Sequence, residues 1–255
     1  MNTNNRVFVC FAAEDRYTIV QPVVYHLKNY GIDIWYDRHE LVLSDNREEK
    51  NLNEGAAGCS YVLAILSKHT ASSKCAMEEL SIVESRYRRG EVAVFPVLYE
   101  INPDDIPHEL QWIKEIIFKE VDKSSGTREI CNHIACKITG DMLQNCRFKK
   151  VEEIIDASLP TLPSVTYKLL CSYIGIEYSN LNSRVALLYS IYLMLICTET
   201  MQINSVTAMV SKIFNRLFSE TKLNISIDYR ELWLLENSIC LLVNCYLASC
   251  TESRI

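Results

Sequence analysis

Tyr61–Leu66 (YVLAIL) runs straight into Ser67–Leu80 (SKHTASSKCAMEEL), and this junction decides the fold. The apolar run reads as a buried strand. Ser67 ends it and a short loop follows. Ser72–Arg89 then reads as a helix stopped at Gly90, with Glu78 and Glu79 in its early turns. A strand ending in Ser, a short loop and a carboxylate on the next helix is how an open α/β sheet presents a reactive group at its carboxyl edge. A glutamate aimed into a cleft there would make the chain an enzyme. Two solvated glutamates would make it an interaction module.

Outward from this junction, strand-like and helix-like segments alternate. Val7–Phe11 (VFVCF) is a strand. Asp15–Tyr30 keeps Ile19, Val23, Val24 and Leu27 at helical period, and Gly31 closes it. Ile32–Tyr36 (IDIWY) is the second strand. The polar stretch Asp37–Lys50 reads as a loop running into a helix that Leu52–Ala57 continues and Gly58 ends. Beyond the junction, Val92–Leu98 (VAVFPVL) is a fourth strand that Pro96 should fray or end. Asn102–Leu110, with Pro103 and Pro107, is an irregular loop with at most a short helix. Ile116–Phe118 is a short fifth strand, and Thr127–Ile138 is a helix stopped by Gly140. This alternation predicts an α/β fold over residues 1–140, a flavodoxin-like five-stranded parallel sheet with helices on both faces. From Asp141 the pattern becomes helical throughout: Lys149–Ala157, Pro163–Ile174, Leu181–Glu199, Ser205–Glu220 and Asp228–Ser249. Residues 141–255 are therefore expected to form a second, all-α domain, in which no catalytic motif is visible.

Composition removes several classes of function. A formal net charge of −6 with no long basic block argues against nucleic acid as a partner. The patches Arg86–Arg89 and Arg147–Lys150 read as solvated helix faces. Eleven cysteines contain no CxxC and do not pair with nearby histidines, so no metal site is expected; they fit reduced thiols in a cytoplasmic protein. The N-terminus MNTNNRVFVCF lacks the pattern of a signal peptide. The longest apolar run, Val185–Cys197, is shorter than the roughly 20 residues of a membrane span, so no membrane partner is expected. GxGxxG and P-loop motifs are absent, and Ser67 stands in no nucleophile elbow.

Three segments occur in order: VFVCFAAEDR at Val7–Arg16, GIDIWYDRHEL at Gly31–Leu41, and SKHTASSKCAMEEL at Ser67–Leu80. Together, over roughly Arg6–Ile138, they resemble a TIR (Toll/interleukin-1 receptor) domain, similar to the prokaryotic NAD-cleaving TIR immune effectors. The first looks like the family's opening strand and acidic loop, the second like its second strand and the start of the following loop. The third looks like its strand end and glutamate–leucine pair. In enzymatic members the glutamate of a W-x-x-x-E pattern is catalytic. That residue falls on Glu79, and the Trp position falls on Cys75. A Gly-Asp pair in the loop after the second strand falls on Ser44 and Asp45.

The resemblance implies cleavage of NAD+ at the nicotinamide–ribose bond, to ADP-ribose or a cyclic isomer, with NAD+ as substrate and no cofactor. Nicotinamide leaves neutral from a cationic ring, so one carboxylate beside an oxocarbenium-like centre suffices, unlike the two of ordinary glycosidases. Phe11, Ala12, Trp35 and Asp37 would lie near the same crevice, with Asp45 and Cys75 completing a substrate-binding set around Glu79. The plain alternatives are a core role for Trp35 and turn-capping for Asp37 and Asp45. Glu78, adjacent to Glu79 on a helix, must face elsewhere. The resemblance further implies self-association through the TIR domain and a role in antiphage immune signalling. The helical domain would take a protein or nucleotide trigger. The rival expectation is a non-catalytic adaptor that binds other TIR domains through Asp37–Lys50.

Overall fold

The computed structural model describes residues 6–144, 147–158, 161–197, 210–212, 214–216 and 227–252. Two compact units divide the chain, Met1–Ile134 and Ala135–Ile255. The first holds five strands: β1 (Val7–Cys10), β2 (Ile34–Trp35), β3 (Tyr61–Leu66), β4 (Ala93–Tyr99) and β5 (Lys119–Val121). All pair in parallel, in the order β2-β1-β3-β4-β5. This is the flavodoxin-like order expected, and it places the topological switch between β1 and β3. Its helices include α1 (Gln21–Asn29), the short α2 (Asp37–Glu40), a π-helix Glu48–Ala56, and α3 (Lys74–Arg88). Right-handed crossovers put α1 on one face of the sheet, and the π-helix and α3 on the other.

The two-residue period of β-strands sorts the core. Phe8 and Cys10 of β1, with Val62, Ala64 and Leu66 of β3, join one buried cluster with Ala76, Leu80 and Val83 of α3. Val7, Val9, Leu63 and Ile65 are also buried and turn to the opposite face. Every residue of β3 is buried, which is why that strand reads as a continuous apolar run. Ser73 caps α3, its Oγ accepting from the Ala76 N–H at 3.3 Å.

Four boundaries differ from the sequence reading. β4 runs through Pro96, which pairs with Ala64 of β3 and precedes the first β4–β5 pair, Val97↔Lys119; an imino acid there interrupts no β5 partner. The fifth strand is Lys119–Val121 rather than Ile116–Phe118: the short helix His108–Glu115 runs up to Ile116, whose N–H still closes on the Ile113 carbonyl, and Ile117 is exposed. That helix follows a single turn, Pro103–Asp105, so the proline-rich stretch is more helical than its composition suggests. Gly140 does not end its helix: α4 spans Arg128–Gln144, and a Cβ at Gly140 would meet the Trp233 ring at 3.6 Å, an ordinary contact.

The second unit is helical, as expected, with α5 (Val151–Ser158), α6 (Ser164–Ile174), α7 (Leu181–Ile196) and α8 (Tyr229–Glu252). Leu232, Leu235, Ile239, Leu242 and Val243 form its buried stripe. The expected helix Ser205–Glu220 falls mostly outside the described residues. Arg184 ties α6, α7 and α8 together: its Nε donates to the Tyr173 hydroxyl at 3.2 Å, and that hydroxyl donates to Glu236 at 2.5 Å. Among the described residues one helix, Tyr229–Cys250, is long and apolar enough to cross a membrane, and 67% of its apolar window is buried within the structure.

Candidate active site

Glu79 is the buried acid on α3. Helical spacing separates it from its neighbour: Glu78 faces solvent and pairs with Arg47 at 2.8 Å, while Glu79 turns inward and is 7% exposed. Its Oε1 accepts from the Asn51 side-chain amide at 2.5 Å. Asn51 lies on the π-helix and is itself buried. The Cys10 thiol, at the carboxyl end of β1, donates to the Ala76 carbonyl at 3.6 Å and also stands within hydrogen-bonding reach of the Glu79 carboxyl. Burial pushes the Glu79 carboxyl up to about 7, against the hydrogen bonds of Cys10 and Asn51 and the positive field of Arg47, which pull it down; Asp37 adds to the rise. A carboxyl group balanced near neutral pH can hold or release a proton, or stand as a negative charge beside a developing cation. The Cys10 thiol is held well above its ordinary range, by burial and then by the same carboxylate, so it is a donor here and not a thiolate.

A second cluster lies at the ends of β1 and β2. Arg16 binds Asp37 through two parallel hydrogen bonds of 2.7 Å each. Its guanidinium also covers the Phe11 ring at 4.9 Å and the Tyr36 ring at 5.7 Å. Phe11 and Asp37 are therefore brought together, and Asp37 acts electrostatically on Glu79. The other expected residues stand apart from this cluster. Trp35 is 1% exposed and packs on Phe8 at 5.1 Å between ring centroids. It offers no free face for stacking, because the sheet needs its ring as core. The Ala12 side chain is buried as well. Asp45 is exposed and closes the turn Val42–Asp45, its Oδ2 accepting from the Val42 N–H at 2.8 Å. Cys75 is exposed on the first turn of α3, near Arg47.

Sequence reading missed Asn51, Cys10 and Arg16. Arg16 carried a signal, since it closes the quoted AAEDR stretch. Asn51 carried none, because a polar residue in a polar loop-to-helix segment looks solvated. A further buried acid, Asp15, accepts from Ser67 Oγ at 2.6 Å and joins the loops after β1 and β3.

The chain thus holds a doubly wound domain that buries two acids at the carboxyl edge of its sheet, Glu79 beside Asn51 and Asp15 beside Ser67. Residues 7–130 match the family described as the TIR domain, and this part of the chain is a TIR domain. The chain is 27% identical over 99 residues to the 2′ cyclic ADP-D-ribose synthase BtTIR of Bacteroides thetaiotaomicron, covering 39% of this chain and 34% of that protein. It is 29% identical over 106 residues to the NAD(+) hydrolase TcpC of Escherichia coli O6:H1, covering 41% of this chain and 34% of that protein. The matched segment thus spans about a third of the length of these curated relatives. The solved TIR domain of the Toll-related receptor TRR-2 from Hydra magnipapillata is 18% identical, covers 45% of this chain and 82% of that one, and has a TM-score of 0.38.

Proposed function

We propose that the TIR domain is an NAD+ nucleosidase that cleaves the nicotinamide–ribose bond with Glu79 as its catalytic carboxylate. The observation that carries this reading is a glutamate buried at the carboxyl edge with its proton affinity raised to about 7. The names of the relatives, which are NAD+ hydrolases and cyclic ADP-ribose synthases, support the reaction class. In its ionised form Glu79 stabilises the oxocarbenium-like centre or holds the ribose hydroxyls. The departing nicotinamide needs no proton, so a single carboxylate at the reacting centre suffices. Phe11, Asp37, Asp45 and Cys75 belong to the substrate-binding set, together with the backbone at Ala12. Trp35 supports the site from behind. A water on the ribose carbon gives ADP-ribose, and an internal hydroxyl gives a cyclic product. The setting is cytoplasmic antiphage immune signalling, with the helical unit as the regulatory, sensing or oligomerisation domain.

The second reading, a TIR adaptor, is favoured by one feature. Leu43 is 98% exposed in the loop after β2, beside an exposed Val42. Two apolar side chains on a loop tip suit docking to a second copy of the domain. One experiment separates the readings. The purified full chain, at high concentration, is incubated with NAD+, and nicotinamide is followed by chromatography with Glu79→Ala beside it. Release by the wild type alone establishes the nucleosidase, and the second product peak separates hydrolase from cyclase. No release from either form, with concentration-dependent self-association intact, supports the adaptor or an enzyme awaiting its trigger, and what the helical unit binds then separates the two.

A further inference from the structure

The π-helix Glu48–Ala56 carries the hydrogen-bond partner of Glu79. Such wide turns are uncommon and are frequently found at functional sites. Its approach to the sheet is set by Gly55. A Cβ there would stand 2.7 Å from Phe8 Cε2 and 3.3 Å from Trp35 Cε2, so only glycine lets the segment lie this close to β1 and β2. One turn earlier on the same segment comes Asn51, 6% exposed, with its amide on Glu79 Oε1 at 2.5 Å. Trp35 and Gly55 thus act on the site indirectly, by fixing the backbone that carries Asn51.

We infer that Asn51 is a positioning residue for Glu79: its amide pins one carboxylate oxygen, fixes the orientation of the group towards the ribose, and favours the ionised form. This rests on the reading of Glu79 as the NAD-cleaving carboxylate. An amide N–H donates to a carboxylate better than to a neutral acid, so the bond holds the proton affinity down while burial raises it. The other groups facing Glu79 are the Cys10 thiol from β1, Arg47 from the chain before the π-helix, and Asp37 from α2. Cys75 and Glu78 on its own helix lie around Arg47. None of these supplies the short amide bond. A leucine at position 51 matches the shape but cannot donate. It should raise the Glu79 pKa by about one unit, the scale of one hydrogen bond to a charged group. At pH 7 the ionised fraction would then fall from about a half to about a tenth.

The test is a carbon-13 titration of the Glu79 carboxyl in the full-length protein, assigned with Glu79→Gln and run on wild type, Asn51→Leu and Asn51→Ala. The alanine variant serves if the leucine variant does not fold. An upward shift of about one unit supports the inference; an unchanged titration in a folded variant overturns it. This readout needs no turnover, so it stands whether or not NAD+ proves to be the substrate. Where nicotinamide is released, the acid limb of kcat should move up by the same amount, with about a fivefold loss at pH 7 and little change in KM. A loss of kcat that is the same at every pH would mean that Asn51 only supports the fold.

Discussion

Glu79→Gln should stabilise the protein at pH 8 and not at pH 4. The carboxyl titrates at about 7 in the folded chain against an ordinary value of 4.5 for a solvated glutamate. As pH rises through 4.5 the unfolded chain gives up this proton while the folded chain keeps it, so folding stability falls until about pH 7 and then levels. A gap of about 2.5 units corresponds to roughly 3 kcal/mol lost from the folded state at pH 8. Glutamine carries no charge to bury, and its carbonyl oxygen still accepts from Asn51. Its new amide group needs an acceptor, which costs about 1 kcal/mol. The variant should therefore be more stable than wild type by about 2 kcal/mol at pH 8 and less stable by about 1 kcal/mol at pH 4. Urea denaturation at several pH values measures the difference, with hydrogen exchange at the β3 amides reporting the first unit alone. A difference that does not change with pH, or a variant that is the weaker at pH 8, would refute the claim that Glu79 is buried with a raised proton affinity.

Ser44 sits at φ +86° in the turn that Asp45 N–H closes on the Val42 carbonyl at 3.0 Å. That third turn position favours glycine, so Ser44→Gly should gain about 0.5 kcal/mol, the left-handed strain relieved less the added chain entropy; a shift of the urea midpoint to lower concentration would contradict this. Gly55→Ala should cost about 2 kcal/mol, because its Cβ would meet the Phe8 ring at 2.7 and 2.9 Å in a packed core. In the same variant the Glu79 titration should move up, since the displaced segment carries Asn51; thermal melting and the carboxyl titration read the two effects, and an unshifted titration would uncouple them.

The sheet was legible because its strands announce themselves. β3 is apolar at every position and buried at every position, and the parallel pairing of the strands follows from their alternation with helices. Boundaries were less legible where tertiary context overrode a local signal, as at Pro96, which a parallel neighbour tolerates, and at Gly140, which α4 passes through. In the site, Glu79 was visible only because a family pattern singled it out; a glutamate in a helix is otherwise an ordinary surface residue. Asn51 and Cys10 could not be read at all. Their roles depend on two segments meeting across the sheet's edge, and no spacing along the chain encodes that meeting. Trp35 was ambiguous for the opposite reason: an aromatic at a strand end can face a ligand or the core, and only the position of Gly55 settles it.

The energetics of Glu79 bear on which of the two functional readings deserves the first experiment. A module that works by surface docking gains nothing from a carboxylate withdrawn from water. Its contacts would come from exposed groups such as Leu43, and an apolar residue at position 79 would make α3 more stable. The chain instead keeps an acid there at a cost of a few kcal/mol. It surrounds the acid with a thiol and an amide that can donate to it, and brings a cation near enough to act on it. Local arrangements that lower stability and are held in place by several independent elements are characteristic of functional sites. β1, α2, the π-helix and α3 all contribute to this one. The docking loop and the buried carboxylate can serve one protein if association completes the site. The concentration dependence of nicotinamide release then becomes the informative measurement: a specific activity that rises with protein concentration joins the two readings, and one that stays flat separates them.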